Sequence, residues 1–586
     1  MNGLQGKNLI YEPEFRIIIV NHKNMEIVKR QLFFSGLVLS FLALGFAKAQ
    51  NIQFEDANFK AALLFASPEN GVAKDANGNS VAIDTNGDGE ISQAEALNIY
   101  QLNIDPYKYQ DYDIGTKMAD IESMKGIEYF ANLTVLSCRN LYMLKNLNLS
   151  ALTKLKELDC SGSFASLPDK TNNIVGSLSN LILPKTSTLE SLDCSGTSIS
   201  SLDFLSGIPN LKKLYLNYIN VENIKITDSQ FSHLEELSVK QRIPNVTITV
   251  SDLPELTKFY CDIPALLRNN PPNIILFLSN LPKIDTLGFP GKKITINNLP
   301  NLTNLGFACE SIVLKGVPKL TEIFMGKTAK TLDLSNVPNL VTLTCFFCDN
   351  LEILNLSKNI KLQTLNLSGA GIKTLDLSKN INLQYLDLRE SPKLETLDIS
   401  KNINLQWIDL SNTKIEALDI SKNINLQKLD LYSPKIKTLD LSKNINLRWL
   451  GLGGDKIETL DVSKTINLQY LDLNGTKIKT LDVSKNINLQ WLGLHCSGIK
   501  ILDVSHNINL VSLNLIDCSK LTSLYMKNGV KKTFSYPSYN IIGANLNYIC
   551  CDEDEIDAVK DYMGNKTNLT VTSECGTVDA KEILPK

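Results

Sequence analysis

The sequence predicts a repeat solenoid: a right-handed, β-rich superhelix of parallel strand ladders with little helix, closed by small α-containing caps. Three observations predict it. Leu383, Leu405, Leu426, Leu447, Leu468, Leu489 and Leu510 recur at an interval of 22 residues and then of 21. Within a unit such as Leu468–Asn488, apolar residues alternate in two short segments, Leu471 with Leu473 and Leu481 with Val483. A period of two marks a strand with one buried side. One coil of 21 residues cannot bury that side alone, whereas stacked coils cover one another and form a continuous core.

Four segments follow along the chain. Residues 1–49 read as an export signal starting at Met25: Lys29 and Arg30, an apolar run from Leu32 to Phe46, and the small-x-small site Ala47-Lys48-Ala49. The run is shorter than the roughly twenty residues a spanning helix needs, so cleavage after Ala49 is expected and no transmembrane segment in the mature chain. Residues 50–125 form an N-terminal cap, 126–545 the solenoid, and 546–586 a C-terminal cap and tail.

The cap contains "DTNGDGEISQAE" at 84–95. Asp84, Asn86 and Asp88 stand at positions 1, 3 and 5 of a twelve-residue calcium loop, with Gly89 at the sharp turn. Glu90 offers a backbone carbonyl at 7, Ser92 the water-bridged position 9, and Glu95 the closing bidentate carboxylate. The "GNSVAI" before Asp84 reads as turn and strand, and the exit helix is expected through "SQAEALNIY". The motif therefore resembles half an EF-hand, as in dockerin-like modules, which implies one structural calcium pinning the cap to the first coils.

Upstream coils are looser, as in "LKELDCSG" from Leu155 and "LTNLGFAC" from Leu302, with insertions near 163–185 and 262–280 expected to form loops. In the regular coils, Asn380, Asn402, Asn423, Asn444, Asn486 and Asn507 recur in "SKNIN" turns, with Thr465 at one gap. A buried Asn column is expected to satisfy turn backbone groups. The repeat "LxxLDLSKNxxL" resembles the 21- to 22-residue leucine-rich repeats of secreted Bacteroidota-type surface proteins, over about residues 130–550 and roughly eighteen coils.

Alternation places Tyr385, Trp407, Lys428, Trp449, Tyr470 and Trp491 on the outward side of successive strands. All three tryptophans lie there, in a stripe of roughly 24 Å. Two residues on, Asp387, Asp409, Asp430 and Asp472 are expected as exposed acceptors beside them, with Gly451 and Gly493 in the same column. Such a face suits a protein or polysaccharide ligand, and stacking that merely braces neighbouring coils is the alternative. A second acidic row, Asp376 to Asp503, is expected to be offset by lysines from Lys379 to Lys485.

Most cysteines fall at inward repeat positions, and register accounts for the pair Cys345 and Cys348. Beyond the last regular repeat, Cys575 is expected to pair with either Cys550 or Cys551. The acidic run at 552–557 reads as the first turn of a capping helix.

Net charge is −3, so no basic footprint for nucleic acid exists. Neither a triad, a phosphate loop nor a paired-carboxylate motif stands out, which argues against an enzyme. The expected function is an exported, extracellular or cell-surface binding or adhesion module. The alternative is a structural surface-layer protein that packs against its own copies.

Overall fold

The computed structural model describes residues 50–576, apart from 110–111, 163–175, 186–187, 242, 244, 262–272, 328, 433–434, 455–456, 496, 533–538, 542–543 and 565. The export signal and part of both insertions lie outside the described residues.

The chain is a parallel β-solenoid with little helix. One ladder runs along its length as two sheets. The first has eight strands, ending at Lys258–Tyr260, and the second has thirteen, from Thr286–Pro290 to Tyr539–Asn540. Strands pair in register coil by coil, as in Leu450 with Leu471 and Leu471 with Leu492. Leu471, Leu473, Leu481 and Val483 are all buried, so both expected apolar segments face one continuous core.

The second segment behaves differently along the chain. Between Asn223–Thr227 and Thr331–Leu332 it forms a six-stranded ladder. From Leu354 to Val483 it is buried but joins no ladder. There the turn after it carries the order. The Nδ2 of Asn423 donates to the Ile399 carbonyl at 3.2 Å and to the Asn402 carbonyl at 2.8 Å. Asn380, Asn402, Asn444, Asn486 and Asn507 repeat the pattern, each binding two carbonyls of the preceding coil. At the gap, Thr465 Oγ1 reaches only the Val462 carbonyl of its own coil, at 2.9 Å.

Strand ladders extend into both expected caps. Gln101–Asn103 of the long ladder pairs in parallel with Val135–Ser137, and Thr570–Thr572 pairs with Tyr548–Cys550 in a separate four-stranded sheet that begins at Ile501–Asp503. The exit helix is correspondingly shorter than expected, spanning only Gln93–Ala96, because the chain must turn to enter the sheet at Gln101. At the N-terminus, helix Ala57–Leu64 is capped by Asp56. One oxygen accepts from Asn58 and Phe59, and the other accepts from the backbone of Glu122 and Ser123. One carboxylate thus ties the cap helix to the segment leading into the first coils.

The acidic row has a larger support than the lysines expected to offset it. The Asp376, Asp398, Asp419 and Asp440 carboxylates accept from the backbone N–H of the serine two residues on, at 2.8–2.9 Å. Those bonds hold them below the usual carboxylate range, and the charges of Lys379, Lys401, Lys422 and Lys443 add a smaller lowering. One other expectation is corrected. Cys345 and Cys348 are joined as a disulfide, whereas register alone had accounted for them. Cys138, Cys160 and Cys194 are buried thiols at successive inward positions.

Candidate functional site

Each strand of the long ladder turns two or three side chains outward, so the stacked coils carry columns of outward residues. From Tyr385 to Trp491 the first column is a nearly continuous stack. The Tyr385 and Trp407 rings lie 4.0 Å apart at 4°, Trp449 and Tyr470 3.4 Å apart at 6°, and Tyr470 and Trp491 4.2 Å apart at 9°. Lys428 fills the one non-aromatic rung, its Nζ 5.3 Å from the Trp407 centroid and 4.5 Å from that of Trp449. An ammonium between two indoles continues the stack electrostatically, because each ring face is negative. The rings are half-buried and their faces cover one another. What reaches solvent is mainly ring edge, a departure from the exposed platforms expected.

The second column departs further. Asp387, Asp409, Asp430 and Asp472 are 0%, 5%, 6% and 6% exposed, so they are not the open acceptors the alternation suggested. Their own and neighbouring coils supply the partners. Arg389 Nη2 lies 2.9 Å from Asp387 Oδ2 and its Nη1 3.8 Å from Asp409 Oδ2. Trp449 Nε1 donates to Asp430 at 2.7 Å, and Lys428 pairs with the same carboxylate at 3.2 Å. Tyr432 reaches forty residues along the chain to donate to Asp472 at 2.9 Å. Burial pushes Asp387, Asp430 and Asp472 above the ordinary carboxylate range despite these bonds. It also raises the Tyr385 hydroxyl to about 12.

The glycines of this column have a packing reason. A Cβ at Gly451 would collide with Asp430 and with the Tyr432 ring, and one at Gly493 would collide with the Trp491 ring. Sequence alternation gives the column but not which large side chain folds across it. Arg389, Tyr432 and Asn366, whose Nδ2 donates to Asp387 at 3.2 Å, were therefore missed as parts of the site.

In the N-terminal cap, Gly87 and Gly89 adopt φ of 71° and 75°, which closes residues 84–90 into a tight turn. Asp84 accepts from the backbone of Gly87 and Gly89 at 2.8 and 2.9 Å, Asn86 from Asp88 at 2.8 Å, and Asp88 from Glu90 at 2.8 Å. Ser92 is the N-cap of helix Gln93–Ala96 in a reciprocal capping box with Glu95. Both Glu95 oxygens are engaged, one by Thr85 and the other by Ser92. Burial raises this carboxyl's pKa, but those bonds outweigh it and leave the group below its ordinary value. The Glu90 side chain points away from the loop to Lys60, 2.6 Å away on helix Ala57–Leu64. Among the described residues, no three His, Cys, Asp or Glu side chains gather closely enough to hold a metal. The loop backbone has the required turn, while its carboxylates are engaged by the loop itself.

At the other end Cys550 is bonded to Cys575, and Cys551 is a buried thiol raised by burial to about 11. The acidic run does more than start helix Ile556–Tyr562. Glu555, 1% exposed, accepts from the Lys532 backbone at 2.6 Å and from its Nζ at 3.2 Å. Asp552 accepts from the backbone of Asn528 and Gly529.

The fold and this face define a parallel β-solenoid whose long ladder presents an ordered polar and aromatic surface. Residues 187–231 match the family model described as Leucine Rich repeats (2 copies). No curated relative matches this chain. Among solved structures the chain is similar to the functional domain of InlJ from Listeria monocytogenes, at 20% identity over 82% of this chain and 78% of that one, with a TM-score of 0.31. It is also similar to an LRR protein of Leptospira interrogans, at 16% identity over 77% and 99% with a TM-score of 0.38. The ectodomain of the Arabidopsis thaliana receptor kinase GASSHO1/SCHENGEN3 gives 15%, 73%, 70% and 0.34. Among the described residues no helix is long and apolar enough to cross a membrane.

Proposed function

We propose that this chain is an exported binding or adhesion module, non-enzymatic, whose outward ladder face recognises a protein or glycan ligand outside the cell. One observation carries the reading. The inward leucines already fill the core, yet the outward face gathers every tryptophan of the chain into one stack above a row of buried carboxylates. Rigid aromatic edges over a fixed charge pattern give a surface little entropy to lose on binding. The mature chain, presented to a glycan array and to a panel of extracellular proteins, is expected to retain at least one ligand. Arg389→Ala and Trp449→Ala should each weaken that interaction at least tenfold, and retention unchanged by both would remove this face from consideration.

The same reading includes a calcium ion in the cap, taken up when Asp84, Asn86, Asp88 and Glu95 exchange their present loop donors for the ion, with the Glu90 carbonyl and, through water, Ser92. Bound there, it would supply charge neutralisation and fix the turn against helix Ala57–Leu64. Calorimetry at millimolar calcium should show one site, lost in Glu95→Gln; an absence of heat in the native chain rejects it.

A second reading, self-packing into a surface layer, has its own observation. Ile381, Ile403, Ile424, Ile445, Ile466 and Ile487 each leave half their surface exposed, in one row along the "SKNIN" turns. Sedimentation that shows assembly in the native chain, abolished by Ile424→Lys with Ile445→Lys, would favour it.

A further inference from the structure

The turns of the regular coils carry a surface that the fold itself does not use. From Ile360 to Ile508, eight successive coils place an isoleucine at the same turn position, and each is 51–53% exposed. Equal exposure at every rung makes an even row, roughly 34 Å long at the coil spacing. In the coils upstream the same position is Pro282, Pro300, Pro318 and Pro338. Monomeric proteins rarely leave so long an apolar strip open to water.

The columns on its two sides differ in charge. Two residues before each isoleucine stands a lysine, from Lys358 to Lys485, with His506 at the last rung. One residue after it stands an asparagine, from Asn382 to Asn509. Each of these asparagines donates its Nδ2 to the isoleucine carbonyl of the preceding coil, at 3.0–3.2 Å, which ties the row together rung by rung. Among the described residues no donor reaches their Oδ1 atoms. Upstream, the chain shows what this position takes. Asn301 and Asn339 make the same Nδ2 bond, to the Pro282 and Pro318 carbonyls. Their Oδ1 atoms accept from Lys319 and Lys361 of the next coil, each at 2.7 Å. From Asn382 to Asn488 the next coil offers another asparagine, so that lysine is missing.

We infer that the row seats a second copy of this chain, laid alongside in parallel about a two-fold axis that runs down the isoleucines. The inference rests on the second reading above, that the row packs against copies of this chain, and it makes the assembly a closed pair. A second copy repeats at the same coil spacing, so isoleucine meets isoleucine at every rung. The two-fold lays each lysine column over the partner's asparagine column, because the two stand on opposite sides of the axis. The open Oδ1 atoms then receive the ammonium that Lys319 and Lys361 supply upstream. An antiparallel pair would lay lysine on lysine, and those like charges repel. A strip of this length, three columns wide, is on the order of the 800 Å² per partner that a stable interface uses. An anionic lipid surface fits less well, since the row from Asp376 to Asp503 stands three residues before the lysines and cancels their charge.

Sedimentation equilibrium of the mature chain, combined with single-cysteine crosslinking, tests this. Dimers are expected, and the Ile424→Lys, Ile445→Lys double variant should be monomeric with little change in Tm, since both side chains already stand half in water. Ile403→Cys, Ile445→Cys and Ile487→Cys, each oxidised alone, should give disulfide-linked dimers in like yield, because in a parallel pair every rung faces its own counterpart. Linkage at one rung only, or in mixtures of two variants but in neither alone, would mean an antiparallel pair and overturn the inference. Open-ended assembly that the lysine variant abolishes overturns the closed pair and leaves the self-packing reading standing. A native chain that stays monomeric overturns both, and its cosedimentation with phosphatidylserine vesicles would assign the row to a lipid surface instead.

Discussion

Coils of two kinds share this solenoid, and they solve one problem differently. Between Thr286 and Glu322 the long-ladder strands recur every 18 residues, and the second segment joins a ladder of its own. Between Tyr385 and Trp491 they recur every 21 or 22 residues, and as far as Val483 the second segment joins no ladder. The spacing across the "SKNIN" turn is the same in both: six residues separate Ile296 from Leu302, and six separate Leu377 from Leu383. The added residues lie in the opposite turn, which in the long coils brings in a buried isoleucine such as Ile415, Ile436 or Ile478. A wider coil holds its second segments too far from ladder register, so successive coils need another tie on that side. The Asn column provides it.

The largest effect that sharpens this comparison comes from removing one Asn. Asn423→Ala leaves the Ile399 and Asn402 carbonyls buried without their side-chain donor. Each carbonyl keeps a backbone donor, the N–H of Asn402 and of Leu405, so the loss is two hydrogen bonds at about 0.5–1.5 kcal/mol each, a clear fall in stability to urea. The short coils put a buried apolar residue, Leu299, at that position, and the Asn beside it, Asn298, is exposed and donates to Asn280 at 2.8 Å. Asn298→Ala should change stability by only about 0.5 kcal/mol. Equal costs at the two positions would mean that the Asn column is not what replaces the second ladder.

Next comes the buried acidic column, present in the long coils and replaced by glycine in the short ones. Among the described residues Asp472 has no cation beside it; its partners are the Tyr432 and Tyr470 hydroxyls and the Asn474 backbone. Burial raises its pKa above the unfolded value. Its contribution is therefore fully present below the unfolded carboxylate pKa, about 3.9, and is lost as pH rises through the folded value. Asp472→Asn removes this titration. Relative to the native chain, the variant should gain stability from pH 3.5 to pH 7, as read by urea unfolding at each pH. A constant difference would mean that the carboxylate is not held out of water.

Much of this was legible in the sequence because it follows from period. The strand alternation, the inward leucines and cysteines, the Asn column and the register of Tyr385 through Trp491 all repeat, and repetition fixes which side each residue takes. Exposure does not repeat in the same way. Asp387 and Asp472 lie on the outward side as alternation requires, but Arg389 and Tyr432 close over them, and no local rule shows how far a long side chain reaches. The Lys532–Glu555 pair was hidden for the same reason: its members are 23 residues apart in unlike sequence and meet only through the cap.

The smallest expected effect is a gain. Thr465 interrupts the Asn column, and its hydroxyl stays within its own coil. By the pattern of its neighbours, an Asn there would donate Nδ2 to the Leu441 and Asn444 carbonyls, the groups that Asn423 and Asn486 reach in their own preceding coils. Thr465 is fully buried, and the chain enters and leaves it through the same turn, since its N–H donates to Val462 as that of Asn486 donates to Val483. Room and backbone are therefore matched. A typical hydrogen bond contributes about 0.5–1.5 kcal/mol net, and the column's Oδ1 atoms lack partners, which offsets part of that. Thr465→Asn should thus stabilise the chain by about 0.5–1 kcal/mol, seen as a higher urea midpoint with an unchanged slope. A loss of stability would mean that the uncompensated Oδ1 outweighs the two new bonds. In that case the column exists to relieve the wide turns already formed, and lengthening it adds nothing.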